Sequence, residues 1–369
     1  MLCFARFGKE SRARPGCQGT LGRNGLNVSR KGALHRELPE GTSTVTDASR
    51  FRQAAIPQYG LVNGISDGSA CKAATGFFLP PGRGAMNFWA IQILNGVSFG
   101  MLLFLLAAGL SLIYGLMKIL NLTHGSYYLL GGYIGLTVVR STGSFLLALV
   151  VASCAVAVIG VLMERFFLRR FHLQELPQTM LTFGFLFIFA DLALLIWGGN
   201  PQTMPKPEVF GPSVQLGSIS YPSYRLFIIG VGLAVGAVLW WFQDRTRIGA
   251  MLRAGVDDEE IARALGINVS LLFSMVFALG AFLAALGGVL GGPIMGVFPG
   301  ADFEVLLLGF VVVIIGGLGS LKGAMVGALV VGLLDNFGKV FFPEFALFTI
   351  FVPMALILAV RPTGLFGRE

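Results

Sequence analysis

The alternation of hydrophobic and polar stretches divides the chain near residue 86. From Met86 onward, apolar runs follow one another at about 88–117, 126–139, 144–163, 179–197, 226–242, 270–291, 303–320, 323–342 and 346–360. Most approach the roughly 18–20 residues that a helix needs to cross a bilayer. The pattern predicts an all-α, polytopic helical membrane protein with eight or nine transmembrane spans. The second run is short, and the segment before it, KILNLTHG (118–125), is polar. One early span is therefore expected to be broken or re-entrant.

A long interruption lies at 243–269 and contains four consecutive acids, Asp257, Asp258, Glu259 and Glu260, within RAGVDDEEIARALGINVS. Asp257 followed three residues later by Glu260 has the spacing of a capping box, in which each side chain satisfies an orphan amide at a helix start. Glu259 and Arg263 are spaced to pair at i,i+4, and Gly266 suits the C′ position that ends a helix. The spacing predicts a helix of about eight residues with Ile261, Ala264 and Leu265 on one face. So short a helix is marginal alone in water and needs a surface to pack on. Two readings stay open: a solvated connector along the bilayer, or a docking helix whose Ile261, Ala262, Ala264 and Leu265 meet another protein.

Charge orients the spans. One set of connections carries Arg165, Arg169, Arg170, Arg245, Arg247, Arg253, Arg263, Lys322, Arg361 and Arg368; the alternate set carries Arg140, Lys206, Arg225 and Lys339. The excess places the 243–269 loop in the cytoplasm and the Pro- and Gly-rich 198–223 connection outside. Residues 1–85 hold 12 Lys+Arg against 5 Asp+Glu, so nearly all of the net +8 belongs to this head rather than to the membrane body. Its Gly-, Arg- and Ser-rich composition cannot offset ordering entropy, and a disordered basic extension is expected. With no apolar h-region near its start, the head does not read as a signal peptide, and Met86 is the expected translation start.

Candidate chemistry is sparse. No G-x-x-x-x-G-K-[ST] occurs, so ATP phosphates have no P-loop in this chain. The four cysteines, at 3, 17, 71 and 154, lack CxxC or Cys/His spacing; neither a metal site nor a disulfide framework is indicated. Motifs for hydrolytic catalysis are missing, and no catalytic residues are assigned. Asn121 and His124, beside the expected break, either line a solute pathway or satisfy broken-helix backbone. Asn95, Tyr114 and Tyr128 are further pathway candidates. Asp191 stands alone in FLFIFADLALLIW, where a charge is costly, so it either binds a partner within the bundle or forms a proton or substrate site. An ion-coupled secondary transporter would want several such groups and inverted repeats, which are not found.

EIARALG (260–266) matches the EAA-loop pattern of ABC importer permeases, with Ile261 in place of the usual first Ala. In its setting, DRTRIGAMLRAGVDDEEIARALGIN followed at once by a span, it resembles permeases of branched-chain and hydrophobic amino acid importers of the LivH type. NGVSFGMLLFLLAAGLSLIYGLMKILNLTHGSYYLLGGYIG, IIGGLGSLKGAMVGALVVGLLDN and the terminal RPTGLFG agree in order and spacing. The resemblance spans 86–369 and none of the head. It implies a multi-pass permease subunit of the bacterial inner membrane that takes branched-chain or other hydrophobic amino acids; urea or short amides are the alternative cargo. It further implies a second permease subunit, two cytoplasmic ATPase subunits that use ATP and Mg, and a periplasmic binding protein, with no cofactor bound by this chain and no nucleic acid partner. The coupling helix would comprise Asp257, Glu259, Glu260, Ile261, Ala262, Arg263, Ala264, Leu265 and Gly266.

Overall fold

A computed structural model of the protein describes residues 83–171, 174–207, 210–217 and 219–367. The expected disordered extension over 1–85 lies, but for its last three residues, outside the described residues. Each of the nine apolar runs forms a helix: α1 (Arg83–Met117), α2 (His124–Thr142), α3 (Phe145–Phe166), α4 (Glu175–Trp197), α5 (Ser223–Arg245), α8 (Val269–Met295), α9 (Ala301–Gly316), α10 (Leu321–Phe341) and α11 (Phe348–Val360). Six of them, α1, α3, α4, α5, α8 and α10, are long and apolar enough to cross a membrane among the described residues.

Three features depart from the expected pattern. The run expected to continue over 303–320 stops at Gly316, because Gly317 and Gly319 turn the chain through left-handed backbone at φ 103° and 78°. The 198–223 connection carries a two-stranded antiparallel hairpin, β1 (Ser213–Leu216) with β2 (Ile219–Pro222), in which Val214 faces Tyr221. The 243–269 loop holds two helices, α6 (Arg247–Asp257) and α7 (Glu259–Ala264), rather than one.

The core is organised around α1 and α8. α1 is the most enclosed span, with 83% of its most apolar stretch buried, and it packs on α10, α8 and α5. α8 packs on α1, α2 and α3 and is rich in glycine. These glycines bring backbones together: a Cβ on Gly288 would lie 2.0 Å from the Tyr128 carbonyl oxygen, and one on Gly131 would lie 2.5 Å from Ala285 Cα. Without a hydrophobic driving force between helices in lipid, such close packing is a main source of cohesion. The GxxxG pair Gly323 and Gly327 works the same way, pressing α10 onto the carbonyls of Gly316 and Val312 in α9. α4 and α5 are peripheral, with only 17% and 22% of their apolar stretches buried.

Candidate functional site

The expected break is present between Met117 and His124. Lys118 adopts φ 56°, which ends α1, and the chain returns into the bundle until the His124 ring lies 3.0 Å from the carbonyl of Leu106, about three turns before the end of α1. Non-helical backbone at membrane depth must find partners within the protein. α4 supplies them from 60 residues away. Thr182 Oγ1 accepts from the Leu122 amide at 3.2 Å, and Thr123 Oγ1 donates to the Thr182 carbonyl at 2.9 Å. One α4 turn later, Ser126 Oγ donates to the Leu186 carbonyl at 3.3 Å. Asn121 closes the turn locally by accepting from the Thr123 amide at 3.1 Å.

Asn121 and His124 are both buried, and each keeps one polar atom, Asn121 Nδ2 and His124 Nδ1, without a partner among the described residues. Because Nε2 faces a carbonyl, it carries the hydrogen and leaves Nδ1 as an acceptor. Tyr128, one turn along α2, donates to Met295 Sδ at 3.7 Å and lies against Gly291 of α8. Thus Asn121, His124 and Tyr128 are gathered at the buried start of α2. Asn95 and Tyr114 are not part of that group, since they sit toward opposite ends of α1, roughly 28 Å apart along the helix. Asn95 Oδ1 instead accepts from Tyr221 Oη at 3.1 Å and Arg225 at 2.5 Å, tying the hairpin to α1. Burial raises the pKa of the Tyr221 phenol, while Arg225 lowers it. Three carboxylates outside this group are buried among the described residues, one of them, Asp335 of α10, paired with Lys339 at 2.7 Å. Glu164 of α3 accepts from Ser274 Oγ at 2.5 Å with Arg169 at 3.7 Å, and Asp302 opens α9 beside Gly125.

On the face that carries α6 and α7, the acidic stretch is built differently from the expected box. Asp257 is the last residue of α6, so its backbone is helical and cannot cap the next helix. Asp258 is extended at φ −154°, ψ 110°, and its Oδ1 accepts from the Ile261 amide at 3.0 Å. α7 has six residues rather than about eight. Glu259 and Arg263 pair at 2.5 Å. Gly266 takes φ 84°; its amide reaches the Arg263 carbonyl while that of Ile267 reaches Ala262, which is a Schellman ending. Ala262 is 2% exposed and belongs to the chain's own core, whereas Ile261 and Leu265 are 59% and 74% exposed. Ala262 is therefore the inward anchor of α7 and is not free to meet another protein. Beside α6, a cavity of about 360 Å³ opens between α1, α5 and α10, edged by Lys118, Arg253 and Lys322.

A family model described as the permease component of the branched-chain amino acid transport system matches residues 92–360. The chain belongs to this family. Among its relatives are the BraD permease of the high-affinity branched-chain amino acid transport system of Pseudomonas aeruginosa, 31% identical over 75% of this chain and 95% of BraD. The LivH permease of Escherichia coli K12 is 29% identical over the same shares. A LivH described as probable, from Methanocaldococcus jannaschii, is 25% identical over 75% of this chain and 93% of that protein. The matched residues take in α1 from Gln92 onward, the break, the α6–α7 segment and the other eight apolar helices of the permease.

Proposed function

We propose that this permease is the membrane subunit of an ATP-driven importer of the bacterial inner membrane, carrying branched-chain amino acids. In this reading all nine apolar helices lie within the membrane layer, with α2 and α9 starting inside it, and α7 faces the cytoplasm. A second permease completes the pathway, two ATPase subunits bind beneath, and a periplasmic binding protein delivers cargo; ATP and Mg belong to the ATPases. α7 seats in an ATPase groove through Ile261 and Leu265, with Ala264 allowing close approach. Glu259, Glu260 and Arg263 fix its register, Asp257 holds the end of α6, and Gly266 stops the helix so that α8 can begin.

The observation that carries this reading is a two-sided α7. One side is fastened to the chain's own core through Ala262, and the other presents two large apolar side chains to the surroundings. A helix this short is stable only where it packs, and exposed apolar residues on a capped helix suit helix-in-groove docking. At the buried start of α2, Asn121, His124 and Tyr128 would lie against the pathway, while Asn95 and Tyr114 would stand toward its two mouths. The test is reconstitution of the permease pair in proteoliposomes with its ATPases and binding protein. Leucine uptake should require ATP and both soluble partners. Uptake that survives without ATP would overturn the reading, and a binding protein that holds urea or an amide but not leucine would reassign the cargo.

A further inference from the structure

α4 and α5 are the two most peripheral long helices, yet their exposed faces differ in one respect. α5 is uncharged from Leu226 to Phe242 and exposes Leu233, Val238, Trp240 and Trp241, a face suited to lipid and an interfacial aromatic belt. α4 exposes Phe187, Ile188 and Leu195 on the same stripe as Asp191, and Asp191 is itself exposed. Asp191 lies about 9 Å from the Trp197 end of α4 and about 24 Å from its start, inside the hydrocarbon layer rather than at an interface. Among the described residues it has no hydrogen bond or ion pair. A carboxylate facing lipid at this depth is strongly disfavoured; such groups face a water-filled passage or a partner. One stripe position two turns earlier, Gly184, is open: a Cβ there would meet nothing within 4 Å.

We infer that this α4 stripe is part of the cargo route and that the Asp191 carboxylate receives the ammonium group of an aliphatic amino acid. The side chain of the cargo lies on Phe187 and Ile188 and fills the space left at Gly184. The stripe joins one anionic group to an apolar surface at i, i+3/i+4 and i+7 spacing, which is the complement of a small zwitterion with an aliphatic side chain. A cation on the second permease is the competing occupant. It would close the stripe to water, which makes the two distinguishable.

The inference rests on the importer reading given above, and the experiment separates the two. In the co-expressed transporter in native membranes, with Cys154 and the three cysteines of the head replaced by Ser, Ile188→Cys and Gly184→Cys are exposed to cationic and anionic thiosulfonate reagents. Both positions should label, and the cationic reagent should lose at least about tenfold of its advantage when Asp191→Asn is added. Leucine-loaded binding protein with ATP should slow labelling, and should not do so in the Asp191→Asn background. Asp191→Asn should lower leucine uptake while leaving the ATPase stimulation by loaded binding protein in place, which separates cargo contact from a folding defect; Asp191→Glu should restore uptake in part. An unlabelled stripe, charge-independent labelling, or labelling indifferent to leucine would overturn the inference. Failure of the importer reading would show instead as absent leucine-stimulated ATP hydrolysis in the unsubstituted transporter.

Discussion

Thr182 shows how one hydroxyl can hold a broken crossing. It accepts from the Leu122 amide and donates within reach of the Leu120 and Thr179 carbonyls, so the polar backbone of the break is satisfied where no water is available. Thr182→Val keeps the shape and removes the acceptor. The unsatisfied amide should cost ~1–3 kcal/mol, read as a lowered denaturation midpoint in mixed micelles, and Thr182→Ser should recover most of it. Gly288 makes the complementary point about space. Its missing side chain admits the Tyr128 carbonyl, so Gly288→Ala must push α2 from α8. Overpacking of that kind costs ~1–3 kcal/mol, and the same denaturation series would detect it. Neither residue could be picked from the sequence as part of the break. The contacts to Thr182 span 60 positions, and nothing local to FGFLFIFAD or QTMLT points toward residue 122.

At the scale of elements, α7 yields a sharp expectation because two adjacent aspartates have different jobs. Asp258→Ala removes the side-chain cap and should destabilise α7 by ~1 kcal/mol, whereas Asp257→Ala, at the end of α6, should leave that cap intact. ATP hydrolysis stimulated by loaded binding protein should fall severalfold in the first variant and little in the second. Spacing alone favours Asp257 because it forms S/T/D-x-x-E with Glu260; what decides otherwise is α6, which runs through Asp257 and leaves only Asp258 free to turn outward. α6 was legible in principle, with Ile248, Met251, Leu252 and Val256 at helical spacing, but Gly249 and Gly255 interrupt the signal. Gly249 is there because a Cβ would strike the Gln243 carbonyl at the end of α5. The six long apolar helices were plain in the sequence since bilayer thickness sets their length, and the three shorter ones showed as apolar runs. The hairpin was not, because four-residue strands in a Pro- and Gly-rich connection carry too short an alternation to stand out from a loop.

For the whole molecule, the arrangement implies separable transport and coupling functions. Ile261→Asp with Leu265→Asp changes only side chains that the chain itself leaves exposed, so insertion and thermal stability should be nearly unchanged. Co-purification of the ATPase subunits should drop by at least about tenfold, the size expected when two apolar anchors leave a groove. Retained ATPase at unsubstituted levels would show that α7 is a connector. The family itself was readable from the chain, since the EAA-type loop and the Gly-rich stretch near the end each lie within continuous sequence.

The ending of α7 has a mechanical consequence. Leu265 closes α7, Gly266 reverses the chain and Asn268 already caps α8 by accepting from the Leu271 amide, so four residues separate one rigid body from the next. A joint that short has no slack. If α7 is gripped as proposed, a rotation imposed on it would be passed to α8, whose glycines lie directly against the backbone of α2, one turn from His124. On that reading the permease would act as a clutch without a spring, engaged whenever α7 is held.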